Sequence, residues 1–176
     1  MKVDWEQIGR KIGAVHDSGE SGGEQVGREA LSEILGVDCI EEAVEIYVSG
    51  LPGSTVARSV LSIIKPDHAV AKCIAIYESG CLDRRRACVE LLRSLASRKL
   101  LNWVRVFIAD PDPGIASWGM GIVDALVFSE EISPGEAESL ILLGESHSDA
   151  DVQEASARVR EVIDFARRPS ATNEDG

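Results

Sequence analysis

Side chains that could do chemistry are few in this 176-residue chain, and they do not form catalytic motifs. The three histidines, His16, His68 and His147, each fall near a predicted loop or helix end, and none belongs to a metal-binding H-E-x-x-H pattern. The segment around Gly22 and Gly23 lacks the lysine and the spacing of a phosphate-binding loop. No nucleophile elbow supports a Ser–His–Asp or Cys–His triad. We therefore predict that the protein is not an enzyme and has no metal or cofactor.

Four cysteines, Cys39, Cys73, Cys81 and Cys88, include no C-x-x-C pair. Cys39, Cys73 and Cys88 lie in apolar helical patterns, where cysteine acts as a small buried hydrophobic residue. This usage is typical of a reducing compartment, and the charged segment 1–13 has no apolar core of a signal peptide. No stretch approaches about 18 uncharged apolar residues, so we expect no membrane span and a cytoplasmic location.

The charge balance is strongly acidic, with 18 Lys and Arg against 30 Asp and Glu and a net charge of −12. This balance disfavours nucleic acid and anionic membranes as partners, because phosphate neutralisation supplies most of the affinity for them. Residues 1–50 carry 4 basic and 11 acidic side chains, a charge of −7, and residues 131–176 repeat that count. Residues 51–100 carry 9 basic and 4 acidic side chains, a charge of +5. The sequence thus has two acidic ends around a basic middle.

Charged and aromatic residues in these segments are the candidate binding residues. Arg84 and Arg85 fall at a predicted helix start, where positive charge opposes the helix dipole. One interpretation is that their positive charge is compensated by an anionic group of a partner or by an acidic neighbour in the chain. The alternative is that they lie on a solvated helix face and pair with Asp83 or Glu90. Trp118 lies among glycines, and it is either a core residue or a binding hot spot.

Five acidic residues of the C-terminal acidic segment are further candidates. They either serve the solubility of the protein or bind a basic partner protein. These residues are Glu136, Glu138, Glu145, Asp149 and Asp151.

Apolar residues recur at helical spacing along most of the chain, and no segment alternates with period two. Ten helices are predicted, at residues 3–15, 24–36, 39–49, 54–64, 67–79, 83–97, 99–109, 113–129, 134–144 and 149–167. Ser133 with Glu136, and Asp38 with Glu41, have the spacing of a capping box. Left-handed residues are expected after three helices, at Gly50, Gly80 and Gly144.

An internal repeat organises these helices. AVEIYVSG at 43–50 recurs as CIAIYESG at 73–80, which places Tyr77 30 residues after Tyr47, and the same step again reaches Phe107. In the helices that follow, three apolar residues take equivalent places, Val56, Ile115 and Val152. Helix pairs of this period cannot bury their apolar faces alone, so they must stack. The alternative is a non-repetitive helical bundle with a coincidental match of letters.

Two segments, DPDPGIASWGMGIVDALV at 110–127 and SDADVQEASARVREVI at 148–163, resemble the second helix of HEAT-like repeats. They share an acidic cap, an apolar residue three positions on, and small residues at helical spacing. The closest variety looks like the short HEAT-like repeats first associated with phycobilin lyases. This chain departs from the pattern at Ala116 and Gln153, which stand where an arginine is usual.

The resemblance implies an all-α, right-handed α-solenoid of about ten short antiparallel helices with a curved binding surface. Its expected parts are an N-terminal helical cap at 1–37, a repeat array at 38–168 and a disordered tail at 169–176.

For function we predict a non-catalytic, protein-binding HEAT-like module, whose most concrete version is a bacterial toxin-immunity-type inhibitor of a basic toxin domain. The alternatives are a HEAT-like lyase or enzyme-accessory protein that holds a small molecule or tetrapyrrole, and a subunit of a larger assembly. The sequence leaves the identity of the partner, the binding face and the oligomeric state open.

Overall fold

A computed structural model describes residues 3–167 of the chain. The described part is mostly helical, which confirms the all-α prediction. Its helices are α1 (Trp5–Lys11), α2 (Glu24–Val48), α3 (Ser54–Ile64), α4 (Asp67–Ser79), α5 (Leu82–Ser94), α6 (Leu101–Ile108), α7 (Pro113–Phe128), α8 (Pro134–Glu145) and α9 (Ala150–Arg167). A 3₁₀ turn (Arg98–Leu100) precedes α6, and two short strands are β1 (Val15–His16) and β2 (Gly19–Glu20). The predicted tail at 169–176 lies outside the described residues.

Most predicted helix boundaries agree with the structure to within a few residues, and α3 and α4 agree at both ends. The two helices predicted at 24–36 and 39–49 are both present, because α2 spans two helices that meet at a kink at Gly36, with φ 76° and ψ 163°. That backbone conformation favours glycine because it has no Cβ. Asp38 lies near the start of the helix that follows this kink, but within the described residues its side chain forms no hydrogen bond, so the predicted Asp38 capping box is wrong.

The first predicted helix, 3–15, is too long. α1 ends at Lys11, and Gly13 with φ 72° turns the chain into an antiparallel hairpin that pairs Val15 with Glu20. The segment between α1 and α2 thus includes a short hairpin of two strands. Two residues per strand are too few to produce a visible alternation of apolar and polar residues.

Four further predictions concern helix ends, and two of them are confirmed. Ser133 and Glu136 form the predicted capping box, and Gly50 is left-handed with φ 62°. Gly80 is extended, with φ −79°, so its prediction as a left-handed residue is wrong. Gly144 is also wrongly placed in the prediction, because it lies inside α8 and is buried.

The chain forms two compact units, Met1–Leu95 and Ala96–Gly176. Consecutive helices pack as pairs within each unit: α2 with α3 and α4 with α5 in the first, α6 with α7 and α8 with α9 in the second. In the second unit the first helices, α6 and α8, also pack together, as do the second helices, α7 and α9. Tyr47, Tyr77 and Phe107 lie near the ends of α2, α4 and α6. The pairing thus follows the predicted repeat, whose assignment to the HEAT-like family stays a prediction.

Burial of the cysteines follows the helix faces. Cys73 and Cys88 are fully buried, as predicted, whereas Cys39 is exposed together with Cys81. Cys39 precedes Ile40, the first buried residue of the α2 face that continues at Val44 and Val48. A shift of one residue turns a helical side chain by about 100°, so the prediction that Cys39 is buried is wrong.

Candidate partner-binding groove

The turn between α7 and α8 projects an aromatic side chain and a carboxylate outward. Glu130 follows the last turn of α7 with φ 57°, a left-handed conformation that non-glycine residues rarely adopt. The backbone N–H of Glu131 then donates to the carbonyl of Leu126 at 2.9 Å, and the side chain of Ile132 is buried. Phe128, just before this closed turn, is 85% exposed.

The exposure of Phe128 follows from the helical period. The core face of α7 includes Val123 and Leu126, which are fully buried. Phe128 lies four residues after Asp124 and seven after Gly121, on the side of α7 where side chains are only half-buried. A large aromatic residue therefore ends the helix on its solvent side.

A reciprocal helix cap fixes the start of α8. The Ser133 hydroxyl accepts from the backbone N–H of Glu136 at 3.3 Å, and the Glu136 carboxylate accepts from the backbone N–H of Ser133 at 2.9 Å. Pro134 occupies the first helical position, where its missing N–H costs nothing. The cap holds the Glu136 carboxylate close to the α7–α8 turn.

Arg98, in the 3₁₀ turn before α6, binds both the turn between α7 and α8 and the start of α8. Its Nη1 donates to the carbonyl of Glu131 at 2.8 Å, and its Nη2 forms an ion pair with the Glu136 carboxylate. The backbone N–H of Ser133, followed by Arg98 and the Ser133 hydroxyl, lowers the pKa of Glu136 to about 2. Glu136 is therefore ionised at neutral pH and cannot act as a general acid there.

These elements and α9 enclose a groove of about 610 Å³, which we call the C-terminal groove. Its apolar lining includes Phe128 at the end of α7, Ile132 in the α7–α8 turn and Val162 on α9. Its charged lining consists of Arg98 and three carboxylates, which are Glu130, Glu131 and Glu136. The arrangement suits an apolar side chain that carries a positive charge beside it.

Two other predicted acidic residues are joined by Arg160 of α9. Its Nε lies 2.6 Å from Oε1 of Glu145, and its Nη1 lies 2.9 Å from Oε1 of Glu138. The hydrogen bond with Arg160 lowers the pKa of Glu145, and the same contacts raise the pKa of Arg160. Glu138 and Glu145 thus join α8 to α9 through Arg160.

The last two acidic candidates lie at the start of α9. An Asp149 carboxylate oxygen accepts from the backbone N–H of Asp151 at 3.0 Å, and the backbone N–H of Asp149 donates to Nδ1 of His147 at 3.0 Å. The side chain of Asp151 is exposed. Trp118, on α7, is half-buried and so is neither a core residue nor an open surface residue.

The two candidate arginines, Arg84 and Arg85, lie in the first unit, and each contacts a side chain of another helix. Nη2 of Arg84 lies 2.6 Å from Oε2 of Glu45 on α2, and this contact raises the pKa of Arg84 and lowers that of Glu45. The guanidinium of Arg85 stands over the ring of Tyr77, 4.7 Å from its centroid. An acidic neighbour therefore compensates Arg84 near the start of α5, which is one of the three explanations that the sequence left open.

Of the eight predicted site residues, Glu136 alone lines the C-terminal groove. Phe128, Glu130 and Arg98 line it too, and the sequence analysis did not select them as site residues. The spacing of Phe128 from Asp124 along α7 was the signal that could have found it. Arg98 lies 38 residues from Glu136 in the sequence, and no local pattern joins them.

Nothing matches this chain in comparisons with protein-family models, with curated proteins and with solved structures. Within residues 3–167, no cluster of three or more His, Cys, Asp or Glu side chains could hold a metal ion. In the same range, no helix combines the length and the apolar character needed to cross a membrane.

Proposed function

We propose that this chain is a non-catalytic, HEAT-like protein-binding module that holds a basic partner protein in the C-terminal groove. The observation that carries the proposal is Phe128, an aromatic side chain that is 85% exposed at the edge of an apolar groove. Aromatic side chains of this kind supply much of the binding energy at protein interfaces. A partner that covers Phe128 would remove this apolar surface from water.

The charge of the groove supports a basic partner. Glu130 and Glu131 stand beside Phe128, and residues 131–176 carry a charge of −7. Carboxylates at the edge of an interface accelerate the approach of a positively charged protein and disfavour acidic competitors. The most concrete form of this function is that of an immunity-type inhibitor, which covers a basic toxin domain without altering it chemically.

The test compares two phenylalanines that are both exposed in the second unit. Phe128→Ser removes the aromatic group from the groove, whereas Phe165→Ser removes one that is 75% exposed on α9 and does not line it. Each full-length variant is affinity-tagged in the cells that encode the protein, and proteins that co-purify are identified by mass spectrometry. We expect one basic protein with the wild type and with Phe165→Ser, and its loss with Phe128→Ser.

Circular dichroism of both variants checks that each retains the helical fold. Recovery of the same protein with Phe128→Ser as with the wild type would contradict the proposal. So would a specific partner that is acidic, because it would be repelled by Glu130 and Glu131.

One observation favours a second candidate function, that of a lyase or accessory protein that holds a small molecule or tetrapyrrole. The groove volume of about 610 Å³ falls within the range that small-molecule sites occupy, and Arg98 could contact a ligand carboxylate. Titration of the purified chain with biliverdin, followed by its absorption spectrum, tests this function. Saturable binding that Phe128→Ser abolishes and Phe165→Ser retains would favour it, and no spectral change would reject it for this ligand.

A further inference from the structure

The C-terminal groove presents an aromatic ring and a carboxylate that have no partner within the described chain. Phe128 is 85% exposed, and Glu130, two residues further on, lines the same groove. Within residues 3–167, the Glu130 carboxylate accepts no hydrogen bond and forms no ion pair, and no cationic side chain lies over the Phe128 ring. One negative charge and one aromatic face are therefore available to a group from outside the chain.

The other charged groups of the groove contact one another. The Glu136 carboxylate pairs with Arg98 and accepts from the backbone N–H of Ser133. A Glu131 carboxylate oxygen accepts from the backbone N–H of Arg98 at 3.4 Å, and Nη1 of Arg98 donates to the Glu131 carbonyl at 2.8 Å. Arg98 is thus held against the α7–α8 turn, and Glu130 remains the carboxylate whose charge is not offset by a bond in the described chain.

Elsewhere in this chain, arginine is the partner of such groups. The guanidinium of Arg85 stands over the Tyr77 ring, 4.7 Å from its centroid. Arg160 binds the Glu145 carboxylate with two donors, because its Nε lies 2.6 Å from Oε1 and its Nη2 lies 3.0 Å from Oε2. A guanidinium can make both kinds of contact because it is flat and carries its donors in a fork, whereas the ammonium of lysine is a compact and strongly hydrated charge.

The apolar lining of the groove suits the rest of an arginine side chain. Val127, Ile132 and Val162 belong to this lining, and the methylenes of arginine pack against apolar surface while the guanidinium keeps its polar contacts. The groove volume of about 610 Å³ admits one such side chain together with the backbone that carries it. A guanidinium also loses less hydration than an ammonium when it enters a partly apolar groove.

We propose that the C-terminal groove recognises an arginine side chain of the partner protein, whose guanidinium pairs with the Glu130 carboxylate and lies on the Phe128 ring. This inference rests on the proposed function and names the part of the basic partner that enters the groove. A lysine in the same place keeps the charge but lacks the forked hydrogen bonds. The groove therefore prefers arginine to lysine and does not bind a neutral side chain of the same shape.

The experiment uses three acetylated and amidated alanine peptides that differ only in the central residue, which is arginine, lysine or citrulline. Citrulline keeps the shape of arginine but has no charge. The full chain is labelled with para-fluorophenylalanine, so that fluorine NMR gives one signal for each of Phe107, Phe128 and Phe165. We expect the arginine peptide to shift the Phe128 signal saturably, the lysine peptide to bind several-fold more weakly and the citrulline peptide not to bind.

The other two phenylalanines serve as internal controls. Phe107 is fully buried, so an unchanged signal shows that the core of the second unit is intact. Phe165 is 75% exposed on α9 and does not line the groove, so its signal reports nonspecific contact with the peptide.

Two variants that lose one negative charge each test the role of Glu130. Glu130→Gln should weaken binding of the arginine peptide several-fold, because it removes the carboxylate from the groove. Glu161→Gln is the matched control, since Glu161 is exposed on α9 and does not line the groove. It should bind the peptide as the wild type does.

Four results would overturn the proposal. The first is a Phe128 signal that does not shift up to about 10 mM arginine peptide, and the second is a lysine peptide that binds as tightly. The third is Glu130→Gln with the affinity of the wild type. The fourth is a shift of the Phe128 signal in Arg168→Gln without any peptide, because an arginine of the chain itself would then fill the groove.

These results are separate from the test of the proposed function. If Phe128→Ser loses the co-purified basic protein but the arginine peptide does not bind, the module holds its partner through a different group and this inference alone fails. If Phe128→Ser retains that protein, the proposed function fails, and the peptide titration still decides whether the groove binds arginine.

Discussion

Arg98 and Glu136 form an ion pair that joins the 3₁₀ turn before α6 to the first turn of α8. The same carboxylate accepts from the backbone N–H of Ser133, so one side chain completes both a helix cap and a tertiary contact. The ion pair requires the ionised form of Glu136, whereas a capping box can also be completed by an uncharged side chain such as glutamine. The ion pair in the lining of the C-terminal groove is therefore lost when Glu136 is protonated.

The first prediction concerns the titration of Glu136. Its pKa is about 2 in the folded chain, against 4.5 as the ordinary value. Because the folded value is the lower one, the stabilisation is present above about pH 4.5 and is lost as the pH falls towards about 2. Carboxyl-selective NMR of the side chain should find this low pKa, and Arg98→Gln should raise it.

The control for this prediction is Glu136→Gln, which cannot ionise. Its unfolding midpoint in urea should fall less than that of the wild type between about pH 4.5 and about pH 2. Equal losses for the two proteins in that interval would show that Glu136 contributes nothing to the pH dependence of stability.

The second prediction concerns the strained backbone at Glu130. Glu130 follows the end of α7 and has φ 57°. Gly50 follows the end of α2 in the same way and has φ 62°. A non-glycine residue in this conformation costs about 1 kcal/mol, so Glu130→Gly should raise the free energy of unfolding by about that amount. Urea denaturation of the full chain measures the change. The partner of the C-terminal groove should nevertheless bind less tightly, because the variant lacks the carboxylate.

Lys65→Gly is the matched control, since Lys65 has φ 44° at the end of α3 and lies in the other unit. It should gain similar stability and leave the groove interaction unchanged. A loss of stability in Glu130→Gly would mean that the side chain of Glu130 compensates its own strain, contrary to this prediction.

Local patterns and tertiary contacts account for what the sequence does and does not predict. The helix pairs and the Ser133–Glu136 cap follow from residues within a few positions of each other, so the sequence predicts them well. The groove requires Arg98 to meet Glu136, and this contact depends on how α6 and α8 pack. The exposure of Phe128 has one sequence signal, its spacing of four residues from Asp124, and that signal is weak because apolar residues lie on nearly every side of α7.

The third prediction concerns thiol reactivity. Cys39 and Cys81 are exposed, whereas Cys73 and Cys88 are fully buried. A hydrogen bond with Cys88 and burial both raise the pKa of Cys73, so its reactive thiolate form is scarce. A colorimetric thiol reagent should modify two cysteines in the native chain and all four in denaturant. The double variant Cys39→Ser, Cys81→Ser should show no native reaction; rapid reaction of that variant would contradict the burial of Cys73 and Cys88.

The fourth prediction concerns Gly144, where α8 meets α7 and α9 at close range. A β-carbon on Gly144 would overlap the Ser156 hydroxyl of α9 and stand 2.8 Å from the sulfur of Met120 on α7. Ser156 cannot withdraw easily, because it is buried and its hydroxyl donates to the carbonyl of Val152. Gly144→Ala should therefore lower the free energy of unfolding by about 1–3 kcal/mol, measured by urea denaturation.

Gly135→Ala separates this packing effect from the preference of helices for alanine. Gly135 also lies in α8, but a β-carbon there would have only the Ser133 hydroxyl nearby, at 3.9 Å. Alanine is the better helix former by about 1 kcal/mol, so Gly135→Ala should stabilise the chain or leave it unchanged. Because both variants gain the same methyl group in the same helix, the difference between them measures the close contact of α8 with its neighbours. If Gly144→Ala proved as stable as Gly135→Ala, α8 and α9 would have to lie further apart than the structure places them.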